Sequence, residues 1–295
     1  MRLFDCKSVL SITVVSCITV SSGVAQQLSA SASSTVELGY SGDGDIARGT
    51  VRLGKTQSTF TRIRHVQSFP VNRRYSWRLG GEWERIGFGV PTGAEIPNTV
   101  HSLQLHLGNS WFVGEKSLLQ FEVDPGIYSD FEDVDFGDFN APVSARYIHM
   151  QSTNLQWVLA AIHNPKSEIP IVGGIGLRWR FLPDWTLDLI LPKPQVRYDF
   201  SSSLSFHVGG EFKGGAYRVA EDFGTRLGQP GLNDDDVTYR EARVGGGFNW
   251  RFNPRYSAMV EGGWLIDRRF SFENARRQLN GDGAPYFQLA LRAKF

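Results

Sequence analysis

The sequence lacks cysteine beyond its first 17 residues, and it holds only 3 Met in 295 residues. Both cysteines, Cys6 and Cys17, lie in the N-terminal segment, so no disulfide can hold the rest of the chain together. After this segment no stretch approaches the ~18 uncharged apolar residues of a membrane-spanning helix. Lys plus Arg (31) and Asp plus Glu (30) nearly balance, which disfavours a nucleic-acid partner.

The N-terminus has the features of a secretory signal peptide. Arg2 and Lys7 form a basic start, residues 9–20 are largely apolar, and Gly23-Val24-Ala25 fits a small-residue cleavage site. We therefore predict a signal peptide over residues 1–25 and an exported domain over residues 26–295. Lipidation of Cys17 is an alternative, because the residues before it fit the loose pattern of a lipidated cysteine.

The 32 Gly, 13 Pro and 13% aromatic residues favour short strands and turns over a helical core. From residue 45 onward apolar and polar side chains alternate, and the last segment does so without a break. One face carries Phe287, Leu289, Leu291, Ala293 and Phe295, and the other carries Gln288, Ala290, Arg292 and Lys294. At ~3.3 Å per residue the apolar face extends ~26 Å, about the height of the apolar band of an outer-membrane barrel.

The same alternation occurs in segments 103–107, 119–123, 175–181, 206–216, 244–252 and 260–266. The connections between segments alternate in length, as expected when one end of a barrel has short turns and the other long loops. Short turns are predicted at 69–73, 114–116, 152–153, 183–184, 201–202 and 253–255. Longer loops are predicted at 89–99, 129–142, 163–170, 220–236 and 271–283, with a modest one at 192–194. An even count with both ends at the short-turn side gives 14 strands, with 12 as the alternative.

The fold predicted is an all-β, transmembrane, antiparallel up-and-down β-barrel. In such a barrel the apolar face meets lipid and the charged face lines the lumen. The candidate lumen-lining and binding residues are Arg178, Arg180, Glu211, Lys213, Glu241, Arg243, Arg251 and Glu261, with Arg78, Glu82, Glu84, Glu122 and Asp188 on the same face. Aromatic girdles are expected at Trp185, Phe200, Trp250, Phe252, Tyr256 and Phe270.

Several stretches resemble a family of outer-membrane β-barrel domains known only as a domain of unknown function. They are Pro125-Gly126-Ile127-Tyr128-Ser129-Asp130-Phe131, Leu177-Arg178-Trp179-Arg180, Pro183-Asp184-Trp185-Thr186-Leu187, Leu191-Pro192-Lys193-Pro194, Gly209-Gly210-Glu211-Phe212 and Gly214-Gly215-Ala216-Tyr217. The resemblance covers about residues 75–295 and implies no activity. The C-terminal strand ending at Phe295 is also similar to the signal by which barrel-assembly machinery recognises its clients, although Ala293 departs from it.

No catalytic, cofactor or metal site is predicted. None of the six histidines lies in a nucleophile motif, and Ser205 with His207 on one strand face is more typical of lumen lining. The acidic segment 130–138 could hold Ca²⁺ but lacks calcium-loop spacing, which favours a solvated loop. The glycine pairs lie within strands, where curvature explains them better than phosphate binding.

The first functional hypothesis is a passive or weakly selective channel for small solutes in the outer membrane of a Gram-negative bacterium. Its partners would be outer-membrane lipid and the assembly machinery. The second is a barrel without a pore that acts as an adhesin, scaffold or lipid-binding protein. A third is a secreted, soluble β-sandwich that binds sugar.

Overall fold

In the computed structural model, residues 31–295 are described, so the predicted signal peptide (1–25) and Cys17 lie outside the described residues. The described chain forms 17 strands in one sheet. They are β1 (Ser31–Arg48), β2 (Val51–Pro70), β3 (Tyr75–Phe88), β4 (Thr99–Phe112), β5 (Ser117–Val123), β6 (Gly126–Ser129), β7 (Phe139–Asn140), β8 (Val143–Met150), β9 (Leu155–His163), β10 (Ile171–Leu182), β11 (Trp185–Asp188), β12 (Gln195–Asp199), β13 (Leu204–Arg218), β14 (Asp236–Arg251), β15 (Tyr256–Phe272), β16 (Arg277–Gly281) and β17 (Ala284–Lys294).

The sheet closes on itself where the first and last strands pair. β1 runs antiparallel to β17, with Val36 opposite Leu291 and Tyr40 opposite Phe287. β5 and β6 lie one after the other along β4, and β16 and β17 both pair with β15 and β1. Counting each of these two pairs once, and setting aside the two-residue β7, gives 14 antiparallel wall strands, as predicted.

The predicted alternation of connections is confirmed for most of the barrel, but β15 and β16 extend through the predicted loop 271–283 and are joined by residues 273–276, and β1 and β2 are joined by residues 49–50 alone. Residues 71–74, 113–116, 151–154, 183–184, 200–203 and 252–255 form short turns at one end, which we call the short-turn end. The termini lie at the same end, where the backbone N–H of Ala32 donates to the carbonyl of Phe295 at 3.0 Å. The opposite, long-loop end carries residues 89–98, 130–142, 164–170 and 219–235.

The outside of the wall is apolar and the inside is charged. Ile175, Leu105 and Trp264 point outward and are 72%, 56% and 51% exposed, whereas Glu261 and Arg243 point inward and are 3% and 4% exposed. This inversion is the arrangement of a transmembrane barrel. None of the helices in the described part of the chain is long and apolar enough to cross a membrane.

Phe270 was expected in an aromatic girdle, and this prediction is wrong. The register of β14 against β15 shifts between Ala242 and Arg243, which oppose Asp267 and Leu265. Such a bulge adds one residue to a strand and reverses which side chains face inward beyond it. Phe270 therefore points into the barrel and is 1% exposed.

The barrel narrows towards the long-loop end because β11 and β12 contain only four and five residues. Beyond them, Arg218 at the end of β13 pairs directly with Ser129 of β6, although five wall strands separate these strands at the short-turn end. At the long-loop end the segment 164–170 covers the outer surface of β14. The backbone N–H of Glu168 donates there to the Thr238 hydroxyl at 3.4 Å.

The main apolar core lies inside this narrowed end. It combines inward side chains of the wall strands with residues from two long loops. Its members include Ile46, Ile86, Phe88, Val100, Tyr217, Phe223, Leu232, Val237, Tyr239, Phe270, Phe272 and Leu279. We call this cluster the apolar plug, because it fills the lumen at the long-loop end.

Candidate functional site in the barrel lumen

The lumen at the short-turn end contains a cavity of about 930 Å³, which we call the vestibule. Its wall is formed by β1, β2, β9–β15 and β17, together with the short turns at 151–154, 183–184, 200–203 and 252–255 and the connection 189–194. Of the predicted lumen residues, Arg178, Arg180, Glu211 and Arg251 line it. A polar chamber of this size can hold water and small solutes.

A layer of buried ion pairs closes the inner end of the vestibule. Arg62 of β2 pairs with Glu84 and lies 3.2 Å from Glu82. Across the lumen, Arg243 donates to Glu211 at 2.7 Å and to the side-chain carbonyl of Gln288 at 2.6 Å. Because Arg62 and Arg243 each have carboxylate partners, they can remain charged although they are almost entirely buried.

Lys213 and Glu241 belong to this charged layer. The Lys213 ammonium donates to Gln288 at 3.0 Å and lies 3.8 Å from the centre of the Phe60 ring, a cation–π contact. Glu241 accepts a hydrogen bond from the Tyr239 hydroxyl at 2.6 Å, which joins the layer to the apolar plug. A space of only about 20 Å³ remains between these side chains.

Glu261 of β15 is the most heavily bonded carboxylate near the vestibule. It accepts hydrogen bonds from the Lys193 ammonium at 2.6 Å, His207 Nε2 at 2.8 Å and the Tyr286 hydroxyl at 2.9 Å. The other ring nitrogen of His207 contacts Asn249 at 3.1 Å. Both nitrogens of His207 are thus engaged with groups other than Ser205, which leaves Ser205 without an activating base.

Lys193 reaches Glu261 because the connection 189–194 docks onto β13. The backbone N–H groups of Gly210 and Phe212 each donate at 2.9 Å to the carbonyls of Pro194 and Pro192. A Cβ at Gly209 would lie 2.2 Å from the Pro194 carbonyl oxygen, so only glycine allows this approach. The two prolines have no backbone N–H group to donate to a neighbouring strand, so the hydrogen bonding of the sheet ends at this connection.

At the long-loop end, buried acidic side chains hold the plug in place. Asp130 accepts a hydrogen bond from the Ala220 backbone at 2.9 Å, and Asp235 accepts two from the segment 274–275. Burial raises the pKa of Asp130. The acidic segment 130–138 was interpreted as a solvated loop, and this is wrong for Asp130 and Asp138, which are 4% and 2% exposed.

One group of potential metal ligands lies on the lumen wall, formed by His106, Glu122 and Asp124. His106 Nδ1 is 2.5 Å from Asp124, and Glu122 is 3.0 Å from Arg78. A guanidinium beside the carboxylates supplies the positive charge that a cation would otherwise provide. The group is therefore explained by ion pairing, and no metal is assigned to it.

All eight predicted binding candidates lie on the inner face. Arg178, Arg180, Glu211 and Arg251 line the vestibule, and Lys213, Glu241 and Arg243 lie in the charged layer. Glu261 lies beside the vestibule, bonded to its lining residues Lys193 and His207. Other charged residues that line the vestibule are not among these candidates, among them Arg62, Lys193, Arg292 and Lys294. Inward and outward side chains alternate regularly around Arg62, whose neighbour Ile63 is exposed, and this signal could have identified it. Lys193 lies in a connection without such periodicity.

Residues 74–290 match the model of the family described as "Domain of unknown function (DUF6268)", and the chain belongs to this family. No curated protein matches the chain. Solved structures to which the chain is similar include an outer membrane channel from Pseudomonas putida F1, at 13% identity and a TM-score of 0.49, covering 92% of this chain and 97% of that one. The toluene transporter TodX of P. putida matches at 8% identity with a TM-score of 0.42, covering 90% and 89%. A FadL homologue of Pseudomonas aeruginosa matches at 12% identity with a TM-score of 0.36, covering 90% of each chain.

Proposed function

We propose that this protein is an outer-membrane channel for small polar solutes, and that its lumen is closed at the long-loop end in the state described. The observation that carries the proposal is the vestibule, a polar cavity of about 930 Å³ that reaches the short turns. A barrel that served only as a scaffold would gain more stability by filling this volume with packed side chains. A polar cavity inside a membrane barrel is typical of a solute path.

The closure combines inward side chains of the wall with residues from loops that are not part of the wall; six of the 17 buried members of the apolar plug lie in loops. Phe223 and Leu232 contribute to the apolar plug from short helical segments, Phe223–Arg226 and Pro230–Leu232, within the loop 219–235. Loops have lower local stability than wall strands and open more readily. We infer that displacement of this loop connects the vestibule with the long-loop end, once the ion pairs of the charged layer also rearrange.

The outer membrane and its lipid are the proposed environment, since the wall is closed and its exposed side chains are apolar. The strand β17, which ends before Phe295, is the proposed recognition element for barrel-assembly machinery. Density fractionation of bacterial membranes tests the location. Recovery of the protein in a detergent-free soluble fraction would contradict it.

A barrel without a pore is the second candidate function. It is favoured by the continuous filling of the lumen by the charged layer and the apolar plug, two of whose members, Leu232 and Phe270, are 1% exposed. In this case the long loops would act as a binding surface, and the vestibule would have no exit.

Conductance in planar lipid bilayers separates the two candidates. The full chain is compared with a variant in which residues 221–233 are replaced by a short Gly-Ser linker. We expect small or infrequent openings for the full chain and conductance at least several-fold higher for the variant. The control variant carries Val134→Ser and Phe136→Ser, in a loop region where these side chains are 51% and 91% exposed, and should behave as the full chain does. Absence of ion current in both the full chain and the linker variant would support the barrel without a pore.

A further inference from the structure

We propose that the vestibule binds small soluble anions, such as inorganic phosphate or carboxylates, and that it makes the channel anion-selective. The selectivity rests on the proposed function, whereas the binding does not. The lining of the vestibule contains nine Lys or Arg side chains and four Asp or Glu side chains. The whole chain is nearly neutral, so the excess of positive charge is a local property of this cavity.

Several of these cations are already neutralised. Arg178 lies 2.5 Å from Asp188, Arg197 lies 3.1 Å from Asp199, and Lys193 lies 2.6 Å from Glu261. Arg62 belongs to the charged layer and is paired there with glutamates. These four side chains therefore hold the wall together and do not attract a solute.

Five cations of the lining have no carboxylate partner among residues 31–295, namely Arg180, Arg251, Arg255, Arg292 and Lys294. The only hydrogen bond from the Arg251 guanidinium to another described residue is to the Ser202 carbonyl, at 3.2 Å. A guanidinium without a carboxylate keeps most of its donors available, and its planar fork fits the oxygens of phosphates and carboxylates.

The sheet register brings three of them together on the lumen side. Arg251 of β14 stands opposite Ser257 of β15, and Ser257 stands opposite Arg292 of β17. Lys294 follows two residues later on the same face of β17. We call Arg251, Arg292 and Lys294 the cationic cluster. Their side chains are exposed to the solvent in the vestibule, and Thr35 and Ser33 of β1, which offer small hydroxyl groups, stand opposite Arg292 and Lys294.

Like charges close together on one face of a sheet repel one another, and an anion placed between them offsets this repulsion. Because the cluster is in contact with water, the attraction should weaken as the ionic strength rises. The charged layer beyond the vestibule contains both signs and offers no comparable preference. We therefore assign anion selectivity to the cationic cluster, at the short-turn end of the path.

Calorimetric titration of the full-chain barrel with inorganic phosphate, in a non-ionic detergent at low ionic strength, tests the binding. The triple variant Arg251→Gln, Arg292→Gln, Lys294→Gln should bind phosphate at least about tenfold more weakly, since it loses three charge-assisted donors. The control triple variant Arg73→Gln, Arg74→Gln, Lys116→Gln removes the same charge at the same end of the barrel, from exposed turns outside the vestibule, and should bind phosphate as the unmodified protein does.

Equal phosphate binding by the cluster variant and the unmodified protein would overturn the proposal, and so would absence of binding. Loss of phosphate binding on addition of an anionic phospholipid would assign the cluster to a lipid headgroup and would also overturn the proposal.

Ion selectivity is tested separately. The reversal potential of the linker variant under a tenfold KCl gradient should indicate preference for chloride, and the triple substitution should abolish this preference. A preference for potassium would contradict the selectivity alone, whereas absence of current would contradict the proposed function and leave the calorimetric result standing.

Discussion

The contact between Lys193 and Glu261 provides a sharp test of how the lumen is stabilised, because it joins a connecting segment to a wall strand. In Glu261→Gln the side chain keeps its shape but loses its charge. Its amide oxygen can retain at most the two contacts from Lys193 and His207, which share one oxygen of Glu261, and its N–H₂ group then faces the Tyr286 hydroxyl.

The expected change in the free energy of unfolding follows from the burial of Glu261 and Lys193. Breaking a fully buried ion pair costs about 3–5 kcal/mol, because one charge is left without compensation. Glu261 is 3% exposed, whereas the Lys193 side chain is 24% exposed and can recover part of its hydration from the vestibule. We therefore expect Glu261→Gln to lower the free energy of unfolding by about 2–3 kcal/mol. Lys193→Gln should lower it by a similar amount, about 2–3 kcal/mol, because it leaves the buried Glu261 carboxylate with only His207 and Tyr286 as donors.

A double-mutant cycle isolates the contact itself. Unfolding by denaturant in lipid vesicles can be followed by the fluorescence of the 8 Trp residues, and the coupling between the two substitutions should be about 1–2 kcal/mol. Glu115→Gln is the control, since Glu115 is exposed in a short turn and its substitution should change the unfolding free energy by less than about 0.5 kcal/mol. A coupling energy near zero, or a Glu261→Gln effect no larger than the control, would refute the assigned role.

Two further predictions concern membrane insertion and assembly. Leu105→Arg places a charge on the lipid-facing surface, where Leu105 is 56% exposed, and should lower the stability in lipid by about 2–4 kcal/mol if the site lies near the bilayer midplane. Phe136→Arg, in a long loop, should have little effect on the same unfolding measurement, and similar effects of both substitutions would contradict the assignment of the lipid-facing surface. Deletion of Phe295 removes two backbone hydrogen bonds to Ala32, of 2.8 and 3.0 Å, together with the aromatic C-terminus, and should reduce the amount of heat-modifiable, assembled barrel in membranes. An unchanged yield of assembled barrel would argue against a role of this residue in recognition.

Much of the fold could be predicted from the sequence because the membrane imposes a simple rule on each strand. Alternation with period two fixed which side chains of β13, β14 and β17 face inward, and the lengths of the connections gave the strand number and the common end of both termini. Glu211 and Arg243 were placed on the inner face in this way, and they form an ion pair at 2.7 Å. Each of these inferences depends only on local pattern, since neighbouring strands in an up-and-down barrel are also neighbours in sequence.

The tertiary structure decided the features that depend on residues far apart in the chain. The bulge opposite Ala242 and Arg243 turned Phe270 from the expected girdle into the apolar plug, and no periodic signal reports a one-residue shift against a partner strand. The docking of the connection 189–194 brought Lys193 to Glu261, 68 positions away. The sequence by itself determined the transmembrane barrel and the charged character of its lumen. Only the assembled wall decided that the lumen is closed at one end and open as a cationic vestibule at the other, because the cavity and the plug are formed by side chains that meet across the barrel.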